Sequence, residues 1–410
     1  MKFYLFSFIF LYFQTISANT IEVCEKCQFT SIKEAIQNSK NDDLIYIYKG
    51  EYAEGQIVVD KAIKLIGKDN PVVDGKKEKN VFLVKSSNVT IEGLVIQSSG
   101  ISDIHEYAGI YSDNVSNCIF KNNKMYDNAY GIYLSKSTFS SVDGNTIEGN
   151  AIDEVLGGNG IHLWASQNIK ITNNKIYKHR DGLYLEFSEN LLIEGNHSEG
   201  SQRYGMHFMF SHNNVFINNI FQKNATGVAI MYSKGILVKK NKFYKNWGVN
   251  SYGILVKDIT LSKFIENEFI ENTIAIKADS ASRNLFSENQ FIKNGWAIQV
   301  FGNCDGNEFS FNNFVSNIFD ISTNSRQNEN RFTENYWDNY DGYDLDYDKI
   351  GDKPYHPVKL FSFWVNNYPF LMVLFKSPVI EILEIAEKAF PVLTPSELVD
   401  QKPHTSPLSL

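Results

Sequence analysis

From Gly109 onward the chain repeats itself, and that repeat constrains the fold more than any other feature. A Gly or Ala followed by an apolar residue recurs at Gly109, Gly131, Gly160, Gly182, Gly205, Gly227, Gly253, Ala275 and Ala297, at spacings of 22, 29, 22, 23, 22, 26, 22 and 22 residues. Fourteen positions after the first eight starts stands an Asn: Asn123, Asn145, Asn174, Asn196, Asn219, Asn241, Asn267 and Asn289. The ninth repeat reaches it one residue late, at Asn312. Two positions further comes an apolar residue, among them Met125, Ile176, Phe221, Phe243, Phe269 and Phe291, with Ser198 as the exception. Identity down columns at a fixed period means one unit stacked on copies of itself. Inside the unit apolar residues alternate, as in Ile161-His162-Leu163, so the unit is made of short strands and not of helix. These signals predict an all-β chain, a right-handed parallel β-helix whose coils stack about 4.8 Å apart.

The Asn column has a physical reason. A side-chain amide turned into the stack at a corner can bond the backbone and the amides above and below it, satisfying polar groups that would otherwise be buried unpaired. A second column, five positions on, holds Asn128, Asn150, Asn224, Asn246, Asn272 and Asn294, with His179 in the same place. Before Gly109 the pattern is looser: an amphipathic stretch from Phe29 to Ser39 reads as a helix capping the open end, followed by irregular coils. The gap of 29 marks an insertion at Asn150 to Asn159 that should protrude as a loop, and the gap of 26 adds Trp247 to Tyr252. The expected organisation is a signal peptide over 1–18, cap and irregular coils over 19–108, regular β-helix over 109–353, and an apolar tail over 354–410. In that tail Pro378 to Ala389 has helical spacing, so it either caps the solenoid or docks on another protein.

Export follows from the first eighteen residues, where one Lys precedes an apolar run from Phe3 to Phe13 that is short for a membrane span. In an oxidising compartment Cys24 and Cys27 form a local disulfide or a metal pair, while Cys118 and Cys304 are packed thiols. Lys and Arg number 39 against 47 Asp and Glu, and no basic run breaks that balance, which argues against a nucleic-acid partner.

The stretch GMHFMFSHNN, residues 205–214, puts two Met and two His into one repeat. By alternation Met206, Phe208 and Phe210 face the core, whereas His207 and Met209 face solvent. Met231 is the neighbour of Met209 one coil on, and His162 lies two coils from His207 in the same column, with Tyr184 between. Thioethers in adjacent coils are about 5 Å apart at their Cβ atoms. Sulfur with imidazole is the donor set that selects Cu(I) over hard cations. His207, Met209, Met231 and His162 are therefore candidate copper contacts, set against a surface that docks a partner without metal.

The rungs GNGIHLW (158–164), DGLYLEFSEN (181–190), RYGMHFMFSHNN (203–214) and TGVAIMYS (226–233), with the signal peptide and the ending ENYWDNYDGYDLDYDKIGDKPYHP (334–357), resemble the NosD family over essentially the whole mature chain. The resemblance implies a non-catalytic periplasmic role in assembling the copper centre of nitrous oxide reductase, beside an ABC-type ATPase, its membrane permease and a copper chaperone. It supplies no ligand set for this chain.

Parallel β-helices also serve carbohydrate-active enzymes, so an exported protein of that kind is the competing reading. Its carboxylates would come from Asp113, Glu186, Asp181 or the inserted Asp153 and Glu154, held roughly 5 to 9.5 Å apart. Finally, Asp341, Asp344, Asp346 and Asp348 could offer oxygen to Ca²⁺, although the twelve-residue loop ending in Glu is missing.

Overall fold

The computed structural model describes residues 19–150, 157–326, 329–390 and 398–409. The predicted signal peptide, the core of the inserted loop and its Asp153 and Glu154 lie outside them. The chain winds into a parallel β-solenoid with three sheets of 14, 13 and 12 strands, here called the first, second and third. Each coil gives one strand to each sheet. Those of the third sheet run to six residues in mid-stack, such as Asp181–Glu186, Tyr204–Met209 and Thr226–Met231. Those of the first and second are mostly three residues long, such as Leu192–Glu194 and His197–Glu199.

A Gly stands second in most third-sheet strands because the coils approach closely there. A Cβ on Gly205 would lie 2.6 Å from the Gly227 carbonyl oxygen and 2.7 Å from Asn224 Nδ2. Corners between the first and second sheets need a left-handed residue just before the Asn column, as at Asn173, Asn218 and Gly195 with φ of 55°, 57° and 66°. The fully buried Asn then joins coil to coil. Asn196 N and Nδ2 donate to Asn219 Oδ1 at 2.9 and 3.0 Å, and Asn219 Nδ2 donates to the Ile193 carbonyl at 3.0 Å. The same pattern links Asn123, Asn145 and Asn174 below, and Asn241, Asn267, Asn289, Asn312 and Asn335 above. The second Asn column runs likewise from Asn224 through Asn246, Asn272 and Asn294 to Asn317. Asn150 breaks it, being exposed and bonded to Asp127.

Inside, the apolar column stacks its rings. Phe243, Phe269, Phe291, Phe314 and Trp337 follow one another at centroid spacings of 4.7, 5.0, 4.8 and 4.1 Å, nearly coplanar. Each such pair adds about 0.5–1.5 kcal/mol beyond area burial.

Both described ends are covered. Helix α1, Ile32–Asn38, buries Ile32, Ala35 and Ile36, with Ser31 as its N-cap and Glu54 accepting from Ile32 N and Lys33 N. The looser first part is thus true coil: strands from Thr20–Val23 onward already stack in the same three sheets. Cys24 and Cys27 are joined as a disulfide. At the other end Val358 pairs with Ile321, Asp400 with Phe332 and His404 with Tyr336, extending all three sheets. Between them, helix α2, Leu360–Asn367, a 3₁₀ turn, Pro369–Leu374, and helix α3, Pro378–Ala389, bring Phe361, Val365 and Ile380 against Phe319. Their other side is apolar and uncovered: Phe370, Val373, Val379, Ile382, Ile385 and Phe390 are all exposed. Among the described residues no helix is long and apolar enough to cross a membrane.

Candidate metal site on the third sheet

The long third-sheet strands project two outward columns. Register places Tyr133, His162, Tyr184, His207 and Ala229 in one column, and Ser135, Trp164, Glu186, Met209, Met231 and Lys257 in the other. Met209 and Met231 are direct neighbours and half-buried.

The histidines correct the expectation of solvent exposure. His207 is only 6% and His162 only 8% exposed, although both project outward. The cause is a sleeve of tyrosines. The His207 ring lies 5.0 Å from Tyr184, edge-on, and 4.7 Å from Tyr204. The His162 ring stacks on Tyr133 at 4.2 Å and also meets Tyr130 and Tyr184. Tyr130 and Tyr204 stand just before the rung Gly, a position that alternation alone does not flag. His162 and His207 remain two coils apart with Tyr184 between them, about 9–10 Å on strand spacing, so they are not brought to one ion.

Phe210 is a second correction. The expectation placed it in the core, yet it is 39% exposed. The strand ends at Met209, and Phe210 turns left-handed, with φ of 49°, which breaks the alternation. Phe187 and Tyr232 do the same one coil either side, with φ of 50° and 53°. The three rings stack at 5.4 and 4.9 Å on the surface beside the methionines. Left-handed backbone costs roughly 1–2 kcal/mol for a residue with a Cβ.

Beneath this face lies a polar cluster that the sequence analysis reached only in part. Asp181, fully buried, accepts from Arg203 Nε at 2.9 Å, from Arg203 Nη2, and from Tyr204 N at 3.2 Å. Burial pushes its carboxyl up, but the Arg203 guanidinium and then His207 outweigh burial and hold it below the ordinary value. Asp181 Oδ2 also lies 3.7 Å from His207 Nδ1. Neither His207 ring nitrogen has a hydrogen-bond partner among the described residues. A carboxylate near Nδ1 favours the proton there, leaving the Nε2 lone pair as an orphaned donor. His162 Nδ1 lies 3.2 Å from Asn159 Nδ2, and its Nε2 is likewise unpartnered.

Burial, and then the Arg180 charge, drives His162 down to about 3, and burial drives His179 down to about 4. Both are neutral at ordinary pH. Because an unfolded His titrates near 6.5, the unfolded chain takes up protons that the folded chain refuses, so stability falls as pH drops below 6.5 and keeps falling toward 3–4. The slope is about 1.4 kcal/mol per pH unit for each His. Denaturant midpoints at pH 7 and pH 5 should therefore lie closer together in His179→Asn than in the parent. Equal separations would mean that His179 is protonated in the fold.

Of the other residues singled out, Asp344, Asp346 and Asp348 bring ligand oxygens within 4.8 Å of one another, but Asp341 is not in the group. Two of the three build the turn: Asp344 Oδ2 accepts from Lys349 N and Asp348 Oδ1 from Ile350 N. For the enzyme reading, Asp113 and Glu186 lie three coils apart in one column, and Asp181 is held by Arg203. Neither arrangement is an open carboxylate pair.

A stacked-strand scaffold with thioether and orphaned imidazole donors gathered on one outer sheet is built for binding. Residues 17–157 and 144–342 match the model of the family described as periplasmic copper-binding protein NosD, and the chain belongs to the NosD family. It is 28% identical over 376 residues to a probable ABC transporter binding protein NosD of Stutzerimonas stutzeri, covering 86% of this chain and 85% of the relative. Among solved structures, the Dettilon tailspike protein superposes with a TM-score of 0.60 at 14% identity, over 76% of this chain and 70% of that one. The A-module of mannuronan C-5 epimerase AlgE4 of Azotobacter vinelandii superposes at 0.51 and 12% identity, over 74% and 91%. These two likenesses concern the fold alone.

Proposed function

We propose that this protein carries Cu(I) as cargo on the outer face of its third sheet, as a periplasmic accessory in assembling the copper centre of nitrous oxide reductase. Its partners in this reading are the ATPase and permease of an ABC-type complex, a copper chaperone and the reductase itself. The observation that carries the proposal is His207, a buried imidazole whose Nε2 has no hydrogen-bond partner among the described residues, in the strand that also offers Met209, itself paired in register with Met231. Neutral imidazole and thioethers suit a soft monovalent ion, and a set lacking a committed carboxylate discriminates against Ca²⁺ and Mg²⁺. His162, held neutral two coils away, serves as a separate contact along the path and not as a ligand to the same ion.

Docking on the permease falls to the uncovered apolar side of α3 and the preceding 3₁₀ turn, which is too large a run of exposed Phe, Ile and Val to be left in water without a partner. The likeness of the family relatives, named as ABC transporter binding proteins, supports this assignment. Affinity capture of the mature protein from solubilised membranes should bring down an ABC permease and ATPase, and Val379→Glu with Ile382→Glu should abolish that capture. A protein that captures no transporter and instead depolymerises polyuronides would replace this reading with the carbohydrate one.

A further inference from the structure

Away from the third-sheet face, the last coil and the C-terminal segment enclose a cavity of about 360 Å³. Four carboxylates line it, Asp320, Asp341, Glu384 and Glu387, against two lysines, together with the rings of Tyr340 and Tyr355. Asp320 is 6% exposed and Tyr355 7%, so both are deep in the wall. The Tyr355 hydroxyl, although buried, bonds nothing among the described residues. It sits in the combined field of Asp320, Asp338, Asp341 and Glu387. Asp320 receives a long bond, 3.4 Å, from Asn317 Nδ2 and is also met by the Asn339 side chain, while burial followed by the Asp338 charge pushes its carboxyl up to about 7.

A buried polar atom without a partner is costly, and here the Tyr355 hydroxyl, able to accept as well as donate, faces a cavity walled by carboxylates. A matching ligand brings N–H donors and positive charge. A metal ion fits poorly: among the described residues, the acidic group close enough to share one ion is Asp344, Asp346 and Asp348, outside this wall. The volume also exceeds that of a lone ammonium and accommodates a short alkyl chain. The aromatic lining already tolerates a cation, since Lys359 Nζ lies 5.1 Å from the Tyr355 ring centre. The wall is well anchored, with Glu387 Oε1 accepting from Leu360 N at 2.9 Å.

We propose that this cavity binds an ammonium or guanidinium group on a flexible alkyl chain, with the Asp320 carboxylate and the Tyr355 hydroxyl accepting its N–H bonds. Such a group comes either from a free polyamine or from a Lys or Arg side chain of a docked protein. The test is calorimetric titration of the full mature chain, at mildly alkaline pH where Asp320 is ionised, with spermidine, with acetyl-lysine amide, and with octanediol as an uncharged control. Spermidine or the lysine amide should bind and the diol should not. Asp320→Asn and Tyr355→Phe should each weaken binding roughly tenfold or more. Binding of spermidine alone points to the free polyamine, and comparable binding of the lysine amide points to a side chain of a partner. Tyr355→Phe removes a hydroxyl that bonds nothing among the described residues, so it remains decisive if Asp320→Asn fails to fold. Cations that bind no better than the diol, or an affinity unchanged in Tyr355→Phe, would overturn the proposal.

Discussion

Asn219→Leu should lower unfolding stability by roughly 1–3 kcal/mol, because a buried backbone N–H loses its partner. Asn219 Oδ1 accepts from Asn196 N and Nδ2, and its Nδ2 donates to the Ile193 carbonyl and to Asn241 Oδ1. Leucine fills a similar volume and offers none of these bonds. Asn196 Nδ2 keeps the Ile171 carbonyl, Asn241 Oδ1 keeps Asn219 N and the Ile193 carbonyl stays in the strand ladder, so the uncompensated group is Asn196 N. Urea unfolding followed by circular dichroism reads the change. A parent-like midpoint would mean that water reaches the corner and that the ladder does not carry the stack.

Asp400→Ala should have an effect of the same order, for a different reason. The Asn ladder ends at Asn335, whose N and Nδ2 both donate to Asp400 Oδ2 at 3.1 Å. Trp337 Nε1 donates to the same oxygen at 3.1 Å, while Glu334 N and Lys402 N reach Oδ1 at 3.2 and 3.0 Å. Asp400 is fully buried and closes the ladder with a charge that five N–H groups share. Truncation leaves at least Asn335 N and Trp337 Nε1 buried without an acceptor, while Asn335 Nδ2 keeps the Phe309 carbonyl, costing roughly 2–6 kcal/mol. Hydrogen exchange should quicken at Asn335 and Trp337 before it does in mid-stack. Unchanged protection there would show that the C-terminal segment is not what closes the solenoid.

These two residues also mark what can be read from the sequence and what cannot. Asn219 is legible because its column recurs at a fixed interval and each copy bonds the next. Asp400 is not, since it stands once, 65 residues from Asn335 along the chain, and no period points to it. A third ladder is spelled by Ser137, Ser166, Ser188, Ser211 and Ser233, each six positions after its rung start. In it the backbone N–H of one coil donates to the hydroxyl of the next. Short hydroxyl residues at a bend look like any polar loop unless they are aligned.

The face of the third sheet shows the same division. Pairing of Met209 with Met231 follows from register alone, and so does the column of His162, Tyr184 and His207. The burial of the histidines does not, because it depends on Tyr130 and Tyr204 folding over the strand from outside its alternation. Nor does the turn of Phe210 outward, which is set by its own left-handed backbone just after the strand. Alternation predicts direction reliably within a strand and fails at the first residue beyond it.

The most direct measurement of the central claim is a titration of the mature protein with Cu(I) against a competing chelator, repeated with Met209→Ala and Met231→Ala. Both methionines are half-buried on the outer face, so truncation spares the core. Cu(I) binding is expected in the parent, with roughly tenfold or greater loss in each variant. If neither substitution weakens binding while the β-solenoid spectrum is retained, the Met209 and Met231 pair is a docking surface and not a copper site.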